Sequence, residues 1–202
     1  MNSNPVLEAI AARRAIRRYA DRPVSRAQIE AVLRAANRAP SAHNRQPWRF
    51  AVLTRRADRE RLARAMGDRL RADRLADGDP PAAVERDVAR SFARIAGAPV
   101  VLVVCLSMAG MDAYPDERRA RAEWVMAVQS VSMAAQNMWL AAHSLGLGMC
   151  WLCAPLFAPE AVRRTLALPA DWEPLGLMTL GHPAETPRRK PRAPLSERVI
   201  WV

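Results

Sequence analysis

Residues 39–50 read Ala-Pro-Ser-Ala-His-Asn-Arg-Gln-Pro-Trp-Arg-Phe, and they mark where the chain turns from helix to strand. Upstream, Ser25-Arg-Ala-Gln28 has a capping-box pattern, with Gln three residues after the cap. The helix it opens is predicted to reach about Asn37, with Ile29, Val32, Leu33 and Ala36 facing a core. Downstream, Trp48-Arg-Phe-Ala-Val-Leu-Thr54 reads as a strand. Pro40 and Pro47 stiffen the loop between them and offer no backbone N–H. Ser41, His43, Asn44 and Gln46 can each bond a ligand. The loop therefore reads either as a rigid polar shelf for a flat ligand or as an ordinary helix-to-strand connection.

On the N-terminal side, residues 5–18 are predicted as a helix carrying Val6, Leu7, Ile10 and Ala11 on one side. In such a helix Arg13 and Arg17 would share a face. Clustered guanidinium groups repel unless an anion or carboxylates lie between them, and arginine suits bidentate phosphate binding; the other reading is a solvated basic helix end stabilised by the helix dipole. On the C-terminal side, helices are expected over 56–77 and 82–95. Val100-Val-Leu-Val-Val-Cys-Leu106 is continuously apolar, as in a strand buried on both faces. Residues 116–143 read as one long helix whose second half is apolar nearly all round, which suggests a partner subunit against it. Gly146 is a natural cap for its end. A short helix is expected at 159–167 and a third core strand over 175–182. The tail holds Pro183, Pro187, Pro191 and Pro194 and ends in Val199-Ile-Trp-Val202, a segment suited to adding to a sheet edge of its own chain or a partner's.

Composition narrows the function. A chain of 202 residues with 50% hydrophobic content suits one domain with a sizeable core. There is no apolar run long enough for a membrane span. The N-terminal stretch Met1-Asn-Ser-Asn-Pro-Val-Leu-Glu8 lacks a secretion-signal pattern. Three cysteines argue against a disulfide framework, and together these features point to the cytoplasm. The net charge of +11 is almost all arginine, with Lys190 the only lysine. With two Tyr, three Phe and no nucleic-acid motif, an anionic ligand or phosphate-bearing cofactor fits this charge better than nucleic acid.

Two motifs are misleading. Gly146-Leu-Gly148 lacks the third glycine of a dinucleotide fingerprint, because Trp stands at 151, and it enters a strand. Cys150-Trp-Leu-Cys153 has the spacing of a redox dithiol, but it lies in an apolar strand rather than at a helix N-terminus. The three histidines occupy unrelated contexts, so no zinc spacing arises.

Arg13-Arg-Ala-Ile-Arg17, Ala39-Pro-Ser-Ala-His-Asn-Arg-Gln-Pro-Trp48, Gly146-Leu-Gly-Met-Cys-Trp151 and Lys190-Pro-Arg192 together resemble the nitroreductase family of flavin enzymes, in order and in spacing. The resemblance implies an α+β three-layer sandwich, a mixed sheet flanked by helices, and an intertwined homodimer with one FMN at each of two subunit interfaces. It implies one domain over residues 1–202, with 183–202 an extension packing on the partner. Within the family, Asp68-Arg-Leu-Arg-Ala-Asp73, Tyr114-Pro-Asp-Glu-Arg-Arg119, Leu147-Gly-Met-Cys-Trp151 and Leu168-Pro-Ala-Asp-Trp-Glu-Pro-Leu-Gly176 are similar to the C-terminal reductase domain of coenzyme F-420:glutamate ligase. That domain uses FMN to reduce a dehydro precursor of the deazaflavin coenzyme. The ligase half has no counterpart in these residues, so a stand-alone reductase is expected.

By this resemblance Arg13, Arg14 and Arg17 would hold the FMN phosphate and ribityl chain or lie beside the pyrimidine edge of the ring, with Ala15 and Ile16 between them. Ser41, Ala42 and His43 would reach the flavin of the second subunit. Cys150, Trp151 and Leu152 would offer backbone groups near the ring, Lys190 and Arg192 would complete the phosphate site, and Asp73 would lie toward the substrate. Family members often have Ser where Ala15 stands, so one hydroxyl contact is missing. The expected activity is hydride transfer from NAD(P)H to a small electron-poor acceptor by a ping-pong mechanism, with the flavin and no side chain carrying the chemistry. His43 is the nearest candidate for a general acid, though a structural role suits it better. The alternatives are a flavin-binding protein without turnover and, less readily, a basic nucleic-acid-binding protein.

Overall fold

A computed structural model describes residues 4–202; Met1, Asn2 and Ser3 of the N-terminal stretch lie outside the described residues. The helices are α1 (Pro5–Ala12), α2 (Arg26–Ala36), α3 (Arg56–Ala76), α4 (Pro81–Ala96), α5 (Glu117–Ser144), α6 (Ala154–Phe157) and α7 (Pro159–Leu166). The strands are β1 (Trp48–Leu53), β2 (Val100–Leu106), β3 (Gly148–Leu152) and β4 (Glu173–Gly181). Local chemistry accounts for several boundaries. The predicted capping box closes at Ser25 and Gln28, each side chain bonding the other residue's backbone N–H. Asn4 accepts from Val6 and Leu7 to open α1. Asp116 does the same for α5 through Arg119. Gly146, at φ 71°, turns the chain from α5 into β3.

The four strands form one sheet in the order β1-β2-β4-β3. The run read as doubly buried is β2, and all seven of its residues are buried. Its alternate side chains feed two cores. Val100, Leu102, Val104 and Leu106 join Val32 and Ala36 of α2 and Val131, Ala134 and Met138 of α5. Val101, Val103 and Cys105 face Leu62 and Met66 of α3, Ile95 of α4 and Val162 of α7. Helices thus cover both faces of the sheet, giving the expected three-layer α+β sandwich.

The structure corrects the first two of four expectations and shows the other two as one chain alone presents them. First, the mixed sheet is antiparallel in all its ladders; the one parallel element among the described residues is an isolated bridge from Ala15 to Met149. Second, the helix expected to reach residue 18 stops at Ala12, because Arg13 turns extended and Ile16 donates its N–H to the Met149 carbonyl at 2.9 Å. A sheet edge with free carbonyls takes the segment from the helix. Third, α5 buries one face in this chain, including Ala127, Val131, Ala134 and Met138, but leaves Val125 and Met133 exposed. Fourth, Val199–Val202 forms no strand within the chain; Ile200 and Trp201 are 87% and 90% exposed.

Close approach fixes one position in the sheet. A Cβ on Gly176 of β4 would lie only 2.3 Å from the indole of Trp151 on the neighbouring strand β3. Gly176→Ala is therefore expected to lower stability by roughly 1–3 kcal/mol, as overpacking does. Gly110→Ala, where the nearest atom is Arg45 O at 4.0 Å, is expected to change stability by less than about 0.5 kcal/mol. Urea unfolding of the two variants checks both.

Candidate functional site

The segment that leaves α1 lies along the outer side of β3, the edge strand. Ile16 turns inward and is buried against Gly148, where a Cβ would sit 2.6 Å from the Ile16 side chain. Arg13, Ala15 and Arg17, at alternate positions, line a cavity instead, joined by Arg14. Thus Arg13 and Arg17 do meet across one site, through strand alternation rather than a shared helical face. Tyr19 anchors the segment from below. Its hydroxyl lies 2.7 Å from the Ile16 carbonyl and 2.6 Å from the Thr179 hydroxyl, and burial raises its pKa. Thr179 in turn lies 3.5 Å from the Cys150 carbonyl on β3.

The tail closes the cavity. After Pro183 pairs with Tyr19 and the Ala184 N–H meets the Arg18 carbonyl, the chain runs past the arginines. Arg188, Arg189, Lys190 and Arg192 then face Arg13, Arg14 and Arg17 across a cavity of about 530 Å³. A second space of about 500 Å³ adjoins it, sharing Arg13, Arg14, Trp139, Pro187 and Arg189. The Arg13 guanidinium lies over the Trp139 ring at 4.2 Å. Burial, then the nearby charges of Arg192 and Arg14, lower its pKa. Among the described residues none of these seven cations is in an ion pair. Much other arginine is paired: Arg26 with Glu30, Arg56 with Glu60, Arg71 with Glu85, and Arg74 with Asp79 and Asp87. Uncompensated cations at one cavity are a site for an anion; paired ones are surface.

The shelf loop is a separate wall held from α5. His43, Asn44 and Gln46 have φ of 48°, 55° and 51°, a region that costs free energy for residues other than glycine. Two buried polar residues of α5, seven positions apart, hold it there. Ser130 Oγ accepts the Ala42 N–H at 3.3 Å, and Glu123, 2% exposed, accepts the Asp112 N–H at 3.1 Å. Asp112 then binds Arg45 at 2.6 Å. Within the loop, the Gln46 N–H donates to Ser41 Oγ at 3.0 Å.

The sequence-predicted residues fall into four groups. Arg13, Arg14, Ala15, Arg17, Lys190 and Arg192 line one cavity. Ile16 lines the adjoining space and joins β3, which carries Cys150, Trp151 and Leu152. Ser41, Ala42 and His43 lie together on the shelf and line neither space. Asp73 lies on α3, paired with Arg69, and lines neither space in this chain. Sequence reading missed Trp139, Tyr19, Thr179, Glu123 and Ser130. Glu123 and Ser130 carried a signal, being polar residues on the buried stripe of α5; Trp139 and Thr179 carried none, because both suit a core.

The cysteines do not form a redox pair. Cys150 is buried and Cys153 exposed, with Trp151 Nε1 donating to Cys153 Sγ at 3.1 Å. Burial raises the thiol of Cys150 and pushes that of Cys105 up to about 12. No cluster suited to a metal ion occurs among the described residues.

Comparison with known proteins now identifies the lineage. The nitroreductase family model matches residues 10–182. The chain belongs to the nitroreductase family. It is 36% identical to a provisionally named NADH dehydrogenase/NAD(P)H nitroreductase of Methanothermobacter thermautotrophicus, over 90% of this chain and 79% of that protein. It is 31% identical to an NADH dehydrogenase of Thermus thermophilus, over 98% and 97% of the two chains. A crystal structure of a provisionally named nitroreductase in complex with FMN from Desulfovibrio desulfuricans superposes with a TM-score of 0.77 at 31% identity, covering 100% of this chain and 98% of that one.

Tyr19→Phe is expected to cost about 1–2 kcal/mol, because it removes the hydroxyl between Ile16 and Thr179; urea unfolding measures the cost, and faster amide exchange at Ile16 would show the segment loosening. In the folded protein a thiol reagent is expected to label Cys153 rapidly and Cys105 and Cys150 only on unfolding, as peptide mapping would show.

Proposed function

We propose that this chain is an FMN-dependent oxidoreductase that passes hydride from NAD(P)H to a small electron-poor acceptor by a ping-pong mechanism. The observation that carries the reading is the cavity of seven unpaired cations, built where the extended segment 13–17 meets the tail. A flavin phosphate supplies the dianion this cavity lacks, and the family relationship supplies the flavin chemistry. The named relatives act on NADH or NAD(P)H by their descriptions, and one solved relative holds FMN.

Arg13, Arg14, Arg17, Lys190 and Arg192 hold the phosphate, each guanidinium offering a fork of donors and the lysine a point charge. Trp139 keeps Arg13 in place by its ring face. Ala15, Ile16 and the backbone of Cys150, Trp151 and Leu152 border the ring along the edge of β3. When bound, FMN accepts hydride from the donor and returns it to the acceptor, so the protein needs no nucleophile. The chain's contribution is position and field. Cations beside the site favour the more negative reduced cofactor, by the logic of an oxyanion hole.

The site is completed by a homodimer. Val125 and Met133 on α5 and Ile200 and Trp201 on the tail are apolar and exposed in one chain, which supports a partner across α5 with the end of the 183–202 extension packed on it, beyond the stretch that lines this chain's own cavity. Ser41, Ala42 and His43 then reach the partner's flavin from the strained shelf. Asp73 lies toward the acceptor. Nitroaromatics, quinones and a dehydro-deazaflavin precursor are candidate acceptors, the last supported by the motifs at 68–73, 114–119 and 168–176. Three free cysteines suit a cytoplasmic location.

The test is the visible spectrum of the purified protein supplied with FMN, before and after NADPH or NADH without oxygen. Bleaching of the flavin bands, with colour restored by a quinone or nitroaromatic, is expected. Failure to take up FMN would overturn the site, and a flavin that neither donor reduces would overturn the reaction. Arg13→Ala is expected to weaken FMN binding by roughly 10- to 100-fold, as loss of one charge-assisted hydrogen bond does. Arg26→Ala, at an exposed ion pair with Glu30, is expected to leave it unchanged.

A further inference from the structure

We infer that the donor nucleotide is NADPH rather than NADH, and that Arg188 and Arg189 hold the 2′-phosphate that distinguishes the two. This rests on the oxidoreductase reading above and goes further, because the fold does not choose between the donors and the relatives' names print NADH in one case and NADH with NAD(P)H in another. The argument begins with charge. Seven cations line the basic cavity. The carboxylate lining the adjoining space, Glu185, is already engaged by the backbone N–H groups of Arg17 and Arg18, at 2.6 and 3.2 Å. A phosphate monoester carries about −1.5 to −2 charges at neutral pH. One FMN phosphate therefore leaves most of the positive charge unmatched, even after Glu185 is counted.

Position agrees with charge. Arg13, Arg14 and Arg17 come from one extended segment, which is fixed to β3 through Ile16 and to β4 through Tyr19 and Thr179. Arg188 and Arg189 come from a different segment, the exposed tail. Arg189 lines both the basic cavity and the space beside it, so it can serve an anion that lies next to the first rather than on top of it. Pro187 and Pro191 flank the tail cations and limit their backbone freedom. Two arginines lining one cavity without carboxylate partners suit a phosphate monoester, whereas the 2′-hydroxyl of NADH offers them no charge. Both groups are exposed, so solvent and salt screen them and the discrimination should be moderate.

The experiment has two arms, both on the FMN-loaded full chain. Calorimetry compares binding of NADP⁺ and NAD⁺, and steady-state kinetics compares kcat/KM for NADPH and NADH with one quinone acceptor. NADP⁺ should bind roughly 10-fold more tightly than NAD⁺, and kcat/KM should favour NADPH by a similar factor, with both ratios shrinking as salt rises. In the double variant Arg188→Ser with Arg189→Ser, kept loaded by excess FMN, the NADP⁺ advantage should fall to about 2-fold or less while binding of NAD⁺ changes little. Equal binding of the two nucleotides, or a preference for NAD⁺, would overturn the proposal. So would a variant that keeps its preference, or one that loses FMN in step with NADP⁺, since the two arginines would then belong to the flavin phosphate. Tight, arginine-dependent NADP⁺ binding without turnover would keep this inference while removing the reductase reading.

Discussion

A single edge-strand contact organises the site. Ile16 places its side chain over Gly148 and its N–H on the Met149 carbonyl. That contact ends α1 early, converts the following arginines from a helical to an alternating pattern, and sends Arg13 and Arg17 to the same cavity. It is possible because β3 is the edge of the sheet and because residue 148 has no side chain. Tyr19, wedged between Ile16 and Thr179, makes the arrangement cooperative, since its hydroxyl satisfies two partners that would otherwise be buried with fewer bonds. The arginine segment thereby becomes part of the sheet's polar bookkeeping as well as of its surface.

Electrostatics opposes what packing imposes. Seven like charges at one cavity repel, and the lowered pKa of Arg13 beside Arg192 and Arg14 registers that repulsion together with burial. The cost is tolerated because the segment is held by backbone bonds and aliphatic packing, neither of which depends on charge. Elsewhere the protein neutralises arginine freely, as the lattice of Arg71, Arg74, Asp68, Asp79, Glu85 and Asp87 between α3 and α4 shows. The contrast between the two regions is what gives the large net charge a direction. Strain at the shelf has the same character. Positive φ at His43, Asn44 and Gln46 is over-determined by Ser130, Glu123 and the two prolines rather than relieved.

Much of this was legible in the sequence where local chemistry decides. The capping box at Ser25, the turn at Gly146 and the doubly buried β2 needed only spacing and composition. The arginine segment was legible as a cluster of cations but not as a structure, because Arg13-Arg-Ala-Ile-Arg17 has good helix formers, and only the distant Met149 carbonyl makes it extended. Asp73 shows the converse. Its motif is visible, yet within one chain it is committed to Arg69 on α3 and comes to neither cavity. Glu123, which no spacing singled out, is buried two turns from Ser130, and the packing of α5 against the shelf gives it its role. Long-range partners are what the sequence could not supply.

The shelf lines neither the basic cavity nor its neighbour, although its strain is the kind that accumulates at ligand-contacting loops. The apolar residues of α5 that point away from the core, and the exposed Ile200 and Trp201 of the tail, lie on elements that also carry site residues: α5 carries Trp139, Ser130 and Glu123, and the tail carries Lys190 and Arg192. A partner covering these surfaces would therefore immobilise both walls of the cavity and bring a second shelf to it. In that arrangement ligand binding and subunit association stabilise each other, because each orders a tail that the other needs.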